Sequence, residues 1–260
     1  MAERIEVARQ TVREQTELLH REFGRACSSL KADGTRVTPV DLAISENIQQ
    51  AMAAAFPDDL FFSEESTQIQ GPVPVTSRFA WVLDPVDGTN NYAMGVPFCA
   101  ISLALLEHGL PVYGVVYDLA RRVLMHGGPA YGLWNGDLAA RVRPEPPHSL
   151  SLIGSHSSAD PAFAQQGERI LAHFKIRELG SATLHLAYVA AGLLDGVVED
   201  NVRIWDIAAA CALCLGGGAE VHFLNGDQFP LRQFDLNMTR IRYIAGNAAV
   251  CARLKTLIEG

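Results

Sequence analysis

The chain has 260 residues, 48% of them hydrophobic, which is enough for a substantial core in one large domain or two intimately joined halves. Its 21 Lys+Arg against 29 Asp+Glu give a formal net charge of -8, a balance that argues against coating nucleic acid and suits a protein that holds cations. The N-terminal MAERIEVARQTVREQTELL is charged and amphipathic, and no run of about eighteen apolar residues follows, so neither an export signal nor a membrane span is expected.

In chain order, Ile5, Ala8, Val12, Leu18, Leu19 and Phe23 fall near helical spacing within residues 2–30, and Ile44, Ile48, Met52 and Ala55 do so within residues 41–56. Two helices are therefore predicted, joined by the polar, hairpin-like KADGTRVTPVD, in which either Thr38 or Asp41 starts the second helix. The loop STQIQGPVPVTSR at residues 66–78 is expected to be mobile beside Glu64 and to order when ligands bind. Strand patterns follow in FAWVLD, FCAISLALLEHGLPVYGVVYD with a turn at Gly109, RRVLM and GLWNG, which predict helices packed on an antiparallel sheet. RPEPPHS near residue 145 breaks that pattern. Beyond it, strands SLIGS, KIREL, DGVVED, AEVHFL and RYIAG alternate with helices predicted at 159–172, 182–191, 205–216 and 247–258. Two halves, residues 1–145 and 146–260, are expected to share a wall in one compact unit.

The five cysteines are odd in number and mostly sit in apolar runs, which points to reduced thiols and a cytoplasmic protein. Cys211 and Cys214 have C-x-x-C spacing, but they lie within the helical run IAAACALCL with no second pair, so core packing is favoured over redox or zinc chemistry. None of the eight histidines has metal-ligand spacing to another, and all are read as structural or surface residues.

The chemistry concentrates in WVLDPVDGTNNY, residues 81–92. Pro85 pushes Asp84 into an extended conformation, which predicts Asp84 as the last residue of its strand. Asp87-Gly88 is a turn dipeptide, and Gly88-Thr89 leads into a helix start whose N–H groups and hydroxyl suit an anion. An isolated DPVDG serves equally as an Asx-type turn, and Asp206 at the head of its helix, taken alone, reads first as a cap. Glu64 and Glu65 again follow an apolar run. Taken together, Glu64, Asp84, Asp87 and Asp206 are hard oxygen donors that suit Mg²⁺ better than zinc. Beside a phosphate-sized anion site, that set suits phosphoryl transfer to water. The aspartyl-phosphate phosphatases place two aspartates two residues apart; here the gap is three, which argues against a covalent enzyme and frees the Val86 carbonyl as a further ligand.

Glu64-Glu65, Asp84-Pro85-Val86-Asp87-Gly88-Thr89 and Trp205-Asp206-Ile207-Ala208-Ala209 resemble, in order and spacing, the motifs of the inositol monophosphatase family of Mg²⁺-dependent, lithium-sensitive phosphatases. The likeness extends to Lys31 through Asp41, Gly180-Ser181-Ala182 and Ala245-Gly246-Asn247. It departs modestly at Ala210, where glycine is common, and at Val86, where isoleucine is common. The resemblance implies a layered αβαβα sandwich of the inositol monophosphatase and fructose-1,6-bisphosphatase type, and commonly a homodimer. It implies Glu64, Asp84 and the Val86 carbonyl around one Mg²⁺, Asp84, Asp87 and Asp206 around a second, and Glu64 near a third. Thr89 with Glu64 would orient the attacking water, Asp41 would hold Thr89, Lys31 would sit beside the cluster, and the Gly88 and Thr89 N–H groups would bind phosphate. Glu199, seven residues before Asp206, matches a glutamate that contacts substrate hydroxyls, though a glutamate on a strand edge is otherwise simply solvated. Arg203 sits where a cation would meet a hydroxyl, a second phosphate or only solvent. The implied activity is phosphomonoester hydrolysis, with myo-inositol 1-phosphate first. Histidinol phosphate, fructose 1,6-bisphosphate, NADP(H) and 3'-phosphoadenosine 5'-phosphate are the alternatives. A SuhB-like binding role with the transcription machinery is the rival class, and the acidic balance disfavours a nucleic-acid or RNA polymerase partner.

Overall fold

A computed structural model of the chain describes all residues except 32–33, 68, 157–163 and 260. The chain opens with α1 (Ala2–Glu22) and α2 (Pro39–Ala55), joined through the hairpin of β1 (Ser29–Leu30) and β2 (Arg36–Val37). Helix α1 stops short of residue 30 because Gly24, at φ 67°, turns the chain away. Both candidate starts of α2 are used together. Thr38 is the N-cap, its hydroxyl oxygen accepting from the N–H of Val40 (3.2 Å) and of Asp41 (3.4 Å), and the Asp41 carboxylate accepts in return from the Thr38 N–H at 2.9 Å.

Strands β3 (Leu60–Ser63), β4 (Val73–Pro74) and β5 (Phe79–Asp87) precede the short α3 (Thr89–Met94). Then come β6 (Ala100–Glu107), β7 (Leu110–Asp118), β8 (Val123–Gly128), β9 (Gly132–Asn135) and β10 (Leu138–Ala140). They form a seven-stranded sheet in the order β10-β9-β8-β7-β6-β5-β3, antiparallel except for the parallel β3–β5 edge. The second half supplies β11 (Leu152–Ser155), α4 (Ala164–His173), β12 (Lys175–Arg177), α5 (Ala182–Ala190), β13 (Gly196–Val202), α6 (Ile204–Gly217), β14 (Glu220–Phe223), β15 (Gln233–Phe234), β16 (Ile241–Gly246) and α7 (Ala248–Glu259). Its five-stranded mixed sheet runs β12-β11-β13-β16-β14. The predicted start of the fourth helix, residues 159–163, lies outside the described residues.

Strand alternation sets the layers. Trp81, Leu83, Ile101 and Leu103 point from the large sheet to α1 and α2, where Val12, Ile44 and Ile48 meet them. Their neighbours Val82, Ala104 and Val116 point the other way, onto α5 and α6, which also cover Val197 and Ala245 of the small sheet. On that sheet's outer face, Ile153, Val198 and Ile244 pack against Ile170 of α4 and Val250 and Leu254 of α7. The order helix, sheet, helix, sheet, helix is the expected αβαβα sandwich. Helix α6 is apolar on every side because it has a sheet on both, and Cys211 and Cys214 are buried in it, with burial pushing the Cys211 thiol up to about 12. No helix among the described residues is long and apolar enough to cross a membrane.

Two expectations need correction. The 66–78 segment is not wholly loop, since β4 pairs with β15 and Val73 and Val75 pack on the central core; Gln68 lies outside the described residues. Asp84 does not end its strand. Pairing continues from Asp84 opposite Ser102, through a bulge, to Asp87 opposite Ala100, because a proline that cannot donate is tolerated where the ladder is already interrupted.

Helix α6 lies so close to β7 that a Cβ on Gly114 would stand 2.1 Å from the Ala209 carbonyl oxygen, with backbone on both sides of the contact. Gly114→Ala is expected to destabilise by about 3 kcal/mol, the upper end for overpacking, and to lower the midpoint of urea unfolding accordingly.

Candidate active site

Asp84 and Asp87 flank the β5 bulge and Asp206 opens α6, and each brings one carboxylate oxygen within 4.8 Å of the others. The fold holds each from behind. One Asp84 oxygen accepts from the Val86 N–H at 3.0 Å, and one Asp206 oxygen accepts from the Arg203 N–H at 2.7 Å. One Asp87 oxygen accepts from the Ser181 hydroxyl and from the Thr183 N–H at 2.9 Å, tying β5 to the start of α5. In every case the second oxygen has no hydrogen-bond donor among the described residues. Burial, then the charges of Glu64, Asp87 and Asp206, holds the Asp84 carboxyl well above its usual range. Burial similarly pushes Asp87 up to about 6, against the opposing hydrogen bonds from Ser181 and Thr183, and Asp206 shifts up from burial and the Asp87 charge. No lysine or arginine among the described residues forms an ion pair with any of the three. Three such carboxylates, with only the more distant Arg240 charge acting on Asp206, form a donor set that a hard divalent ion fits. The capping role weighed for Asp206 is real, and it occupies one oxygen only.

Glu64 lines the same cavity just beyond this cluster. Lys31 Nζ donates to Glu64 at 2.8 Å and to Glu65 at 2.5 Å. Burial works against the Lys31 charge, but these two glutamates outweigh it and raise its pKa. Glu65 is pushed up to about 7 by burial and by the neighbouring Glu64. The Thr89 hydroxyl lies 3.0 Å from Asp41 and 2.9 Å from the Val86 carbonyl oxygen. Asp41 is itself buried, and burial raises it to about 6 although Thr38 and Thr89 hydrogen bonds pull the other way. Gly88, at φ 84°, makes the turn between β5 and α3; a Cβ there would meet the Phe98 carbonyl at 2.8 Å.

Glu64, Asp84, Val86, Asp87, Gly88, Thr89 and Asp206 line a cavity of about 480 Å³, the size of a small-ligand site, while Lys31, Asp41 and Glu65 stand behind its wall. Arg203 lies on its wall. Glu199 does not line it: β13 is a central strand rather than an edge, and Glu199 points inward, fully buried, with one oxygen 2.6 Å from His185 Nδ1. The Leu179 N–H donates to the other ring nitrogen of His185 at 2.9 Å, so the proton of the neutral ring sits on Nδ1 and points at Glu199. Sequence reasoning missed His156, Asn201 and Arg240 on the wall and Ser181 and Thr183 behind Asp87, although the Gly180-Ser181-Ala182 resemblance marked that neighbourhood. No local spacing carries the others. His156, His185 and Glu199 meet only when β11, α5 and β13 are assembled.

A family model described as the inositol monophosphatase family matches residues 1–258. Among curated proteins, the chain is 33% identical over 209 residues to the Nus factor SuhB of Pasteurella multocida, covering 76% of each. It is 33% identical over 223 residues to the inositol-1-monophosphatase of Mesorhizobium japonicum, covering 81% of each. Among solved structures, the extragenic suppressor protein SuhB of Bartonella henselae superposes with a TM-score of 0.86 at 30% identity, covering 98% of this chain and 97% of that one. The Thermotoga maritima IMPase does so with 0.84 at 26% identity, covering 99% and 97%.

Proposed function

Because the chain belongs to the inositol monophosphatase family and is thereby a phosphoric monoester hydrolase, we propose that it hydrolyses a small phosphate ester with two or three Mg²⁺ ions. The supporting observation is the meeting of Asp84, Asp87 and Asp206, all shifted toward protonation chiefly by burial. An all-oxygen donor set favours Mg²⁺ over softer ions. Asp84, Asp87 and Asp206 would hold one ion, Glu64, Asp84 and the Val86 carbonyl another, and Glu64 would assist a weaker third. Bound there, Mg²⁺ supplies Lewis acidity toward the phosphoryl and leaving oxygens and makes water nucleophilic at neutral pH.

The protein's own share is orientation. The Thr89 hydroxyl, fixed by Asp41 and the Val86 carbonyl, would keep its lone pairs for the attacking water, which Glu64 on the same cavity would help orient. The Gly88 and Thr89 N–H groups receive phosphoryl oxygens. Lys31 locks Glu64 and Glu65 in place.

Myo-inositol 1-phosphate is the first substrate to try, as the names of several relatives suggest. The residue-level reason for that choice, Glu199, is turned away from the cavity, so histidinol phosphate, fructose 1,6-bisphosphate, NADP(H) and 3'-phosphoadenosine 5'-phosphate stand beside it. Five free cysteines agree with a cytoplasmic location. Lithium sensitivity and a homodimer follow from the same family reading. A second reading, a binding role with the transcription machinery, is favoured by one observation, the relatives called Nus factor SuhB.

Phosphate release by the purified protein, with and without Mg²⁺ across these esters, tests the first reading. Release that requires Mg²⁺ is expected from at least one. No release from any, together with retention on immobilised RNA polymerase, would move the assignment to the second.

A further inference from the structure

A separate cleft of about 200 Å³ lies between β14 and α7, and none of the residues lining it belongs to the active-site cavity. Strand β14 is the edge of the small sheet. Alternation sends its Val221 and Phe223 to the central core and its Glu220 and His222 to the outer face, which α7 covers. His222 stands opposite Ile244, which packs in the same outer cluster as Cys251 of α7. One donor atom from each of Glu220, His222 and Cys251 lies within 4.8 Å of the others. His222 Nε2 is 2.7 Å from a Glu220 oxygen, with both side chains half-exposed. The buried Cys251 thiol faces the Glu220 carbonyl at 3.9 Å, and burial, then the Glu220 charge, pushes it up to about 12. Lys255 also lines the cleft, but its amine is exposed to solvent and lies 3.8 Å from Glu259.

Thiolate sulfur, imidazole nitrogen and carboxylate oxygen together make the donor set of zinc sites, whereas Mg²⁺ takes oxygen alone. Neighbouring donors in a tetrahedral zinc shell stand about 3.3–3.6 Å apart. The His222–Glu220 contact therefore opens slightly, and the remaining separations close by about 1 Å at most, which rotation of two half-exposed side chains supplies. Three protein ligands leave a fourth position for water, which the open cleft admits. We propose that Glu220, His222 and Cys251 form a second metal site, for zinc or a similarly borderline-soft divalent ion, that clips α7 to the edge strand β14. On binding, the Cys251 S–H bond breaks, its proton leaves to solvent and the sulfur–metal bond forms, with no change of oxidation state. The charge of the ion offsets both obstacles to the thiolate, burial and Glu220. The site does not depend on the phosphomonoesterase reading.

Titration of the reduced, full-length chain with Co²⁺, in an excess of Mg²⁺ that occupies the carboxylate cluster, reads the site by its absorption spectrum. About one equivalent of Co²⁺ should produce a thiolate-to-metal charge-transfer band with the intense visible bands of tetrahedral cobalt, and Zn²⁺ should erase both. Cys251→Ser should abolish the charge-transfer band. His222→Gln, a change on the half-exposed edge strand that spares the core, should weaken Zn²⁺ binding at least about tenfold, since loss of even an outer-shell partner costs that much. Zn²⁺ should also raise the Tm of the wild type more than that of His222→Gln, which keeps the same carboxylate cluster. Absence of the thiolate band, its persistence in Cys251→Ser, or Zn²⁺ affinity unmoved by His222→Gln overturns the site, and each leaves the hydrolase reading untouched. An equal rise in Tm for the two proteins overturns the clip.

Discussion

Asp84→Asn should abolish Mg²⁺-dependent phosphate release, by about a thousandfold or more, the scale for removing a preorganised charge at a reacting centre, and yet raise the Tm of the metal-free protein. The first effect follows from the proposed role of Asp84 in holding both ions. The second follows from its burial beside Glu64, Asp87 and Asp206, which makes its charge unfavourable in the folded state. Asn keeps an oxygen for the Val86 N–H now 3.0 Å away, so the bulge survives. Relief of about 1–2 kcal/mol, the usual yield of removing such a site conflict, reads as roughly 2–8 °C at about 2–4 °C per kcal/mol. Mg²⁺ should raise the Tm of the wild type and lose most of that effect in the variant.

The pH dependence carries a sign. A carboxyl with a raised folded pKa binds more protons folded than unfolded, so stability falls as pH rises between its unfolded and folded values. For Asp87 and Asp41 that window runs from the ordinary carboxylate range, about 4, up to about 6 in the fold. Metal-free protein should therefore melt lower at pH 7 than at pH 5 by this contribution, and Mg²⁺ should remove most of the difference. A flat profile without metal would show that the carboxylates are already compensated.

Thr89→Ala is expected to lower kcat by about 10²–10⁴, the range for a positioned proton-transfer group, with KM little changed and Thr89→Ser restoring most of the rate. The hydroxyl is the feature that counts, because Asp41 and the Val86 carbonyl hold its oxygen at 3.0 Å and 2.9 Å. Its loss leaves a buried Asp41 oxygen without that donor, which costs about 1–3 kcal/mol, so Thr89→Ala should also melt lower than wild type. Unchanged kcat in a folded Thr89→Ala would remove this residue from the water-positioning role.

Much of the fold was legible because its signals are local. Helical spacing in residues 41–56, the Thr38-x-x-Asp41 capping pattern and the alternating strands of residues 79–128 each depend on neighbours a few positions away. Asp84, Asp87 and Asp206 were legible as individual carboxylates following apolar runs, each of which taken alone reads as well as a turn or a cap. Family resemblance supplied the grouping that spacing alone left open.

What the chain order does not display is the direction in which a side chain points once strands have neighbours. Asp84 looked like a strand end because Pro85 cannot donate; pairing with β6 carried the strand past it through a bulge. Glu199 looked like an exposed edge residue available to substrate; placing β13 between β11 and β16 buried it, and His185 from α5 took its charge. His156 and Arg240, in none of the motifs, were brought to the cavity by the same assembly. By itself the sequence determined which carboxylates are the candidate ligands, because residue type and local backbone are encoded in short stretches. Only the tertiary structure decided which groups face the rest of the substrate, because that depends on strand order and on which buried charge finds a partner first.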